Sequence, residues 1–220
     1  MRLLLINPNT SVHITERLAA SARQALVPGD TLTAVTAADG PRVVRSAPDL
    51  QVAEASAAAL AAAHAADHDA IVLAISLDGA APRLRALHPH LAVVGMTEAA
   101  LMTACLRADR VGLLTLGAAL LPLYRQRVDD IGLASRLAGF EAPEAPLAFE
   151  PGPDAVSPAL LDTLGGAVDR LRQAGAQAVV LAGAVLCGYA RALQAGHGLP
   201  MFDGVACAVH QARLQQALRE

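Results

Sequence analysis

The sequence predicts an α/β fold of two pseudo-symmetric lobes, each a four-stranded parallel sheet flanked by helices, with an active-site cleft between them. Three observations predict it. Short apolar runs alternate with longer amphipathic ones, the rhythm of parallel strands joined by crossover helices. Strand-like segments recur at a single offset of 108 residues. The chain has 220 residues, 54% hydrophobic and 17% charged, enough to fill a sizeable core.

The elements follow in order. Arg2-Leu-Leu-Leu-Ile6 is an apolar run stopped by Asn-Pro and predicts a strand over 2–6, with a helix over 10–26 behind it. A strand over 31–37 precedes a helix over 50–66 that is nearly all Ala, the strongest helix former. Strands over 70–75 and 91–94 then alternate with helices over 80–88 and 97–108. The second half repeats the rhythm, with strands over 110–115, 136–140, 178–183 and 199–202 and helices over 118–132, 157–173, 185–194 and 204–218. Each strand is rich in Leu, Val and Ile and stops at Gly, Pro, Asp or Asn.

Ala70-Ile-Val-Leu-Ala-Ile75 matches Ala178-Val-Val-Leu-Ala-Gly183 at the offset of 108, Leu91–Val94 matches Leu199–Phe202, and Arg2–Ile6 matches Arg110–Leu114. A duplicated four-stranded unit accounts for all three. Residues 1–97 plus 204–220 are expected to form the first lobe and 98–203 the second, with no linker to hold them apart. The Pro-rich stretch Glu141–Pro153 predicts a surface loop that could serve as a lid. Ligands of open parallel sheets bind beyond the carboxyl ends of the strands. Facing lobes therefore bring the segments after Ile6, Ile75, Leu114 and Gly183 around one cleft.

Composition removes several function classes. All seventeen basic residues are Arg. A lysine-free chain can hold no pyridoxal aldimine, form no Schiff base and build no P-loop. A net charge of −3 and 2% aromatics argue against nucleic-acid partners. Cys105, Cys187 and Cys207 are too few and too scattered for a disulfide scaffold or a CxxC metal site. His64, Asp67 and His68 share a helix face, which suits a metal or simply a polar helix end. Gly165-Gly166 lacks the dinucleotide fingerprint. No run reaches the ~18 apolar residues of a membrane span, and the chain starts on a strand without a signal-peptide pattern. The expectation is a cytoplasmic protein that needs no cofactor and has no membrane partner.

The most distinctive segment is Asn7-Pro-Asn-Thr-Ser11, between a strand and a helix. Its amides and hydroxyls can cap the helix and hold an anionic group at its N-terminus. This motif resembles the aspartate/glutamate/hydantoin racemase superfamily, especially its hydantoin and allantoin racemase branch. Met96-Thr-Glu-Ala-Ala100, Val111–Leu116 with its Thr115, and Asp203-Gly-Val-Ala206 agree with it. The resemblance implies cofactor-independent racemisation of a small carboxylate, amino acid or hydantoin in a homo-oligomer. One cysteine thiolate removes the α-proton while a thiol on the facing lobe returns one. Asn7, Asn9, Thr10 and Ser11 would hold the substrate's carboxylate or ring amide, with Ser76 and Thr115 at neighbouring strand ends.

The sequence departs from that pattern where the chemistry lies. The positions expected to carry the two cysteines are Ile75 and Gly183, which the repeat also pairs. Cys187, about one helical turn further on, is a candidate replacement thiol at a helix N-terminus, or else a small hydrophobe packed in that helix. Asp78 is a candidate base or amide acceptor on the other wall, or else the cap of the helix beginning after Gly79. Three readings compete: an isomerase with an altered acid/base pair, a single-thiol decarboxylase, and a small-anion binding protein without the acid/base pair. Cys187 and Asp78 facing Asn7 and Asn9 in the cleft would favour an enzyme, and their burial in packing would favour binding.

Overall fold

The computed structural model describes residues 1–145 and 155–218. The first sheet contains β1 (Arg2–Asn7), β2 (Thr31–Thr36), β3 (Ala70–Leu73) and β4 (Ala92–Gly95). The second contains β5 (Val111–Leu114), β6 (Leu137–Glu141), β7 (Ala178–Leu181) and β8 (Met201–Asp203). Both are wholly parallel and share one topology, in the orders β2-β1-β3-β4 and β6-β5-β7-β8.

The repeat extends to residue pairing. Leu3 pairs with Ala70 as Val111 pairs with Ala178, and Ile71 with Val93 as Val179 with Met201, every partner 108 residues on. The symmetry slips at the outer edge, where β5 and β6 change register between Val111 and Gly112.

The central strands β3, β5 and β7 and the edge strand β4 are buried at every residue, as parallel strands covered on both faces must be. The helices are α1 (Val12–Ala25), α2 (Ala47–His64), α3 (Ala81–Leu87), α4 (Met96–Arg107), α5 (Leu121–Asp130), α6 (Pro158–Gln173), α7 (Ala190–His197) and α8 (Gly204–Ala217). One apolar cluster joins the inner faces of both sheets through α1, α4, α5 and α8; it includes Leu3, Leu18, Leu101, Leu113, Tyr124 and Val209. Two outer clusters seat α2 and α3 on the first sheet and α6 and α7 on the second. The helix α8 packs on α1, β3 and β4, while α4 reaches β7 and β8.

Three helices differ from their sequence expectation by three residues or more; α5 begins at Leu121 rather than residue 118, behind a 3-10 turn over Ala118–Leu120. The helix α2 starts at Ala47 rather than residue 50, because Ser46 accepts the Asp49 N–H and Pro48 occupies the first turn. The expected helix over 185–194 is broken. A 3-10 turn covers Ala184–Leu186, Cys187 is extended (φ −58°, ψ 132°), Gly188 has φ +89°, and α7 begins only at Ala190. Two of the linking residues thus lie outside helical φ/ψ space. The lid expected within Glu141–Pro153 falls largely outside the described residues.

Candidate functional site

A cavity of about 180 Å³ opens between the carboxyl ends of the two sheets. The first half contributes Pro8, Asn9, Val43, Val44, Arg45, Ile75 and Ser76, among others. The second contributes Thr115, Leu116, Gly117, Leu120, Glu144, Gly183, Ala184 and Val185.

The Asn-Pro-Asn-Thr-Ser loop is a hydrogen-bonded scaffold with one group turned to the cavity. Asn7 is fully buried and its Nδ2 donates to Asn9 Oδ1 at 3.0 Å and Thr15 Oγ1 at 2.9 Å. Ser11 caps α1 by accepting the Ile14 N–H. The Thr10 N–H donates to the Pro41 carbonyl, and Thr10 does not line the cavity. Asn9 does. Its Oδ1 accepts Asn7 Nδ2 and the Ser11 N–H, so its Nδ2 is the group left for a ligand. Of the four loop residues expected to bind substrate, Asn9 lines the cleft, Asn7 and the Ser11 N–H hold its side chain, and Thr10 ties the loop to Pro41.

Ser76 and Thr115 both line the cavity, and they converge on Gly183. A Cβ on Gly183 would lie 3.6 Å from Thr115 Oγ1, 3.9 Å from Ser76 Oγ and 3.9 Å from the Tyr124 hydroxyl. Gly183 has φ +112°, a conformation that favours glycine. The outcome is a notch ringed by three hydroxyls where a side chain would otherwise stand. Tyr124 is fully buried on α5, and burial pushes its phenol pKa up while the Ser76 and Thr115 hydroxyls beside it work the other way. The sequence gives no sign of this tyrosine's role, because a lone Tyr among Leu and Val positions reads as core. Arg45 and Glu144 carried no motif either.

Asp78 and Cys187, expected on opposite walls, do not line the cavity. Asp78 is fully buried and its carboxylate accepts the Thr97 N–H at 3.1 Å and the Glu98 N–H at 2.6 Å. It therefore caps α4, some twenty residues away, and not the helix that follows it. Gly95 makes this possible, since a Cβ there would sit 2.3 Å from the Asp78 carboxyl carbon. In the second lobe the residue paired with Gly95 by the repeat is Asp203, which caps α8 through the Val205 and Ala206 N–H groups. Each lobe thus caps the helix after its fourth strand with a carboxylate, delivered from a different position.

Cys187 is not at a helix N-terminus. It is buried and its Sγ donates to Asp203 Oδ1 at 3.4 Å. Burial, with the Asp203 carboxylate beside it, raises its pKa well above the ordinary thiol value, the reverse of what a basic thiolate needs. Its carbonyl accepts from the buried Arg17 of α1, whose guanidinium lies 5.2 Å from the centre of the Tyr189 ring. His68 turns its Nδ1 to the His64 carbonyl at 2.7 Å.

Burial lifts the Asp78 pKa to about 7, against opposing help from the Glu98 and Thr97 N–H groups and Arg127. A folded-state pKa above the unfolded value means a contribution present at acid pH and lost as pH rises from about 4 through 7. The loss is on the order of 4 kcal/mol. Asp78→Asn removes that titration but keeps one acceptor for the α4 N-terminus. We expect the variant to be the less stable form at pH 5 and to close or reverse the gap at pH 8, measured by urea unfolding. A gap independent of pH would show that Asp78 does not titrate in this range.

A family model described as Asp/Glu/Hydantoin racemase matches residues 3–212. The chain is 29% identical to the hydantoin racemase of Paenarthrobacter aurescens over 234 aligned positions, covering 99% of this chain and 92% of that protein. It is similar to the structure of allantoin racemase from Klebsiella pneumoniae, with a TM-score of 0.89 and 28% identity over 100% of this chain and 89% of that one. Allantoin racemase from Pseudomonas fluorescens superposes with a TM-score of 0.85 and 25% identity, over 100% of this chain and 92% of that one.

Proposed function

Because the chain belongs to the Asp/Glu/Hydantoin racemase family, we propose that its cleft binds a small carboxylate or amide compound without moving the α-proton between two thiols. One observation carries this reading. The positions after β3 and β7 that would bear the thiols are Ile75 and Gly183, both on the cavity wall, and neither can transfer a proton. The family resemblance accounts for the cleft. The hydroxyls of Ser76, Thr115 and Tyr124 and the amide of Asn9 supply neutral donors for a carboxylate or carbonyl oxygen. Burial of Asp78 and Cys187 in packing weighs against the altered acid/base pair and against the single-thiol decarboxylase. Residues 1–97 with 204–220 and residues 98–203 are the two lobes of this reading, in a cytoplasmic homo-oligomer.

The test uses three probes that share an isopropyl group: valine, 3-methylbutanoate and 5-isopropylhydantoin. At least one should bind in titration calorimetry, with no α-deuterium incorporated in deuterated water. Tyr124→Phe and Thr115→Val should each weaken binding ~3–10-fold, the worth of one neutral hydrogen bond. Cys187→Ser should leave the affinity unchanged. Rapid exchange that disappears in Cys187→Ser would overturn the reading.

A further inference from the structure

The two halves bring opposite charges to the cleft from equivalent loops. The segment after β2 contributes Arg45, and the segment after β6 contributes Glu144. Among the described residues these are the one cationic and the one anionic side chain lining the cavity, and everything else there is neutral. Arg45 is in no close ion pair among the described residues; the Asp49 carboxylate accepts its backbone N–H and feels its charge at longer range. Glu144 Oε1 accepts the Ala118 N–H at 3.2 Å, which fixes the carboxylate at the start of the turn before α5 and leaves Oε2 without a described partner. The remaining wall is aliphatic, including Val43, Val44, Ile75, Leu116, Leu120 and Val185.

Both side chains are exposed at the cavity rim, so a neutral ring would engage neither charge, and a simple anion would meet the Glu144 carboxylate. A compound with a carboxylate, a cationic nitrogen and a short branched apolar group satisfies all three parts. We propose that Arg45 and Glu144 select a zwitterionic α-amino acid with an aliphatic side chain, the carboxylate toward Arg45 and the ammonium toward Glu144 Oε2. This rests on the binding role proposed above and narrows its ligand class.

The experiment compares valine, 3-methylbutanoate and 5-isopropylhydantoin on the unaltered chain, Arg45→Ala and Glu144→Gln, by calorimetry at neutral pH. Glu144→Gln keeps an acceptor for the Ala118 N–H, so the turn survives. Valine should bind best. Arg45→Ala should weaken valine and 3-methylbutanoate about tenfold, the scale of one hydrogen bond to a charged group. Glu144→Gln should weaken valine alone, and the hydantoin should respond to neither. A preference for the hydantoin, or binding of valine that ignores both substitutions, overturns the charge selection while leaving the cleft a binding site. Binding that follows Arg45 and Glu144 but ignores Tyr124→Phe and Thr115→Val supports the selection and overturns the hydroxyl cradle. No binding of any probe overturns both.

Discussion

The double substitution Ile75→Cys with Gly183→Cys should raise α-proton exchange, and racemisation of a bound amino acid, well above the level of the unaltered chain. The expected gain over the unaltered chain is about 10²–10⁴-fold, the usual worth of a positioned general acid or base. The site has room for both thiols. A Cβ at Gly183 meets nothing nearer than 3.6 Å, which is ordinary contact. Its φ of +112° adds strain of ~1–3 kcal/mol. Ile75 gives way to a smaller side chain at a further packing cost of ~1–2 kcal/mol. The hydroxyls of Thr115, Ser76 and Tyr124 would donate to a thiolate at 183 and lower its pKa, so this position should supply the stronger base. Gly183→Cys alone has a base on one wall only. It should incorporate deuterium with retained configuration, and the second thiol should convert exchange into racemisation. A folded double variant that binds valine yet exchanges no proton would show that the two positions are not opposed across the bound ligand.

Asp203→Ala should be among the most destabilising single substitutions outside the apolar core, at about 2–3 kcal/mol. One carboxylate receives the Val205 and Ala206 N–H groups of α8, the Gly188 N–H, the Ser21 hydroxyl of α1 and the Cys187 thiol. Removing it uncaps α8 and leaves buried donors unpaired, at ~1 kcal/mol for the cap and more for the orphaned groups. It also releases the segment from Ala184 to Gly188, which forms part of the cleft wall, so ligand affinity should fall together with stability. Cys187→Ala, which removes one weak S–H donor and a small volume, should cost about 1 kcal/mol and leave affinity unchanged. Both are read by urea unfolding and calorimetry. Equal destabilisation by the two variants would show that the thiol, not the carboxylate, organises this junction.

What the sequence by itself determined is the set of elements, the duplication and the end of the sheets at which the cleft opens. Those follow from local periodicity, from strand composition and from the offset of 108 that the pairing of Leu3 with Ala70 and Val111 with Ala178 reproduces. That Asn9, Ser76 and Thr115 line the cleft was legible for the same reason, since they lie within three residues of strand ends that must meet. The directions of Cys187 and Asp78 were not. Cys187 turns away because its own extended backbone and the positive φ at Gly188 break the expected helix, and its sulfur then finds a carboxylate sixteen residues on. Asp78 turns inward because Gly95 leaves a space beside the N-terminus of α4. Arg45 and Glu144 line the cleft, and the Tyr124 hydroxyl stands behind Gly183, from loops and a helix whose own sequence has no reason to mark them. A backbone pattern is set by neighbours along the chain, whereas a side chain's partner is set by which distant backbone comes close, and only the packed lobes decide that.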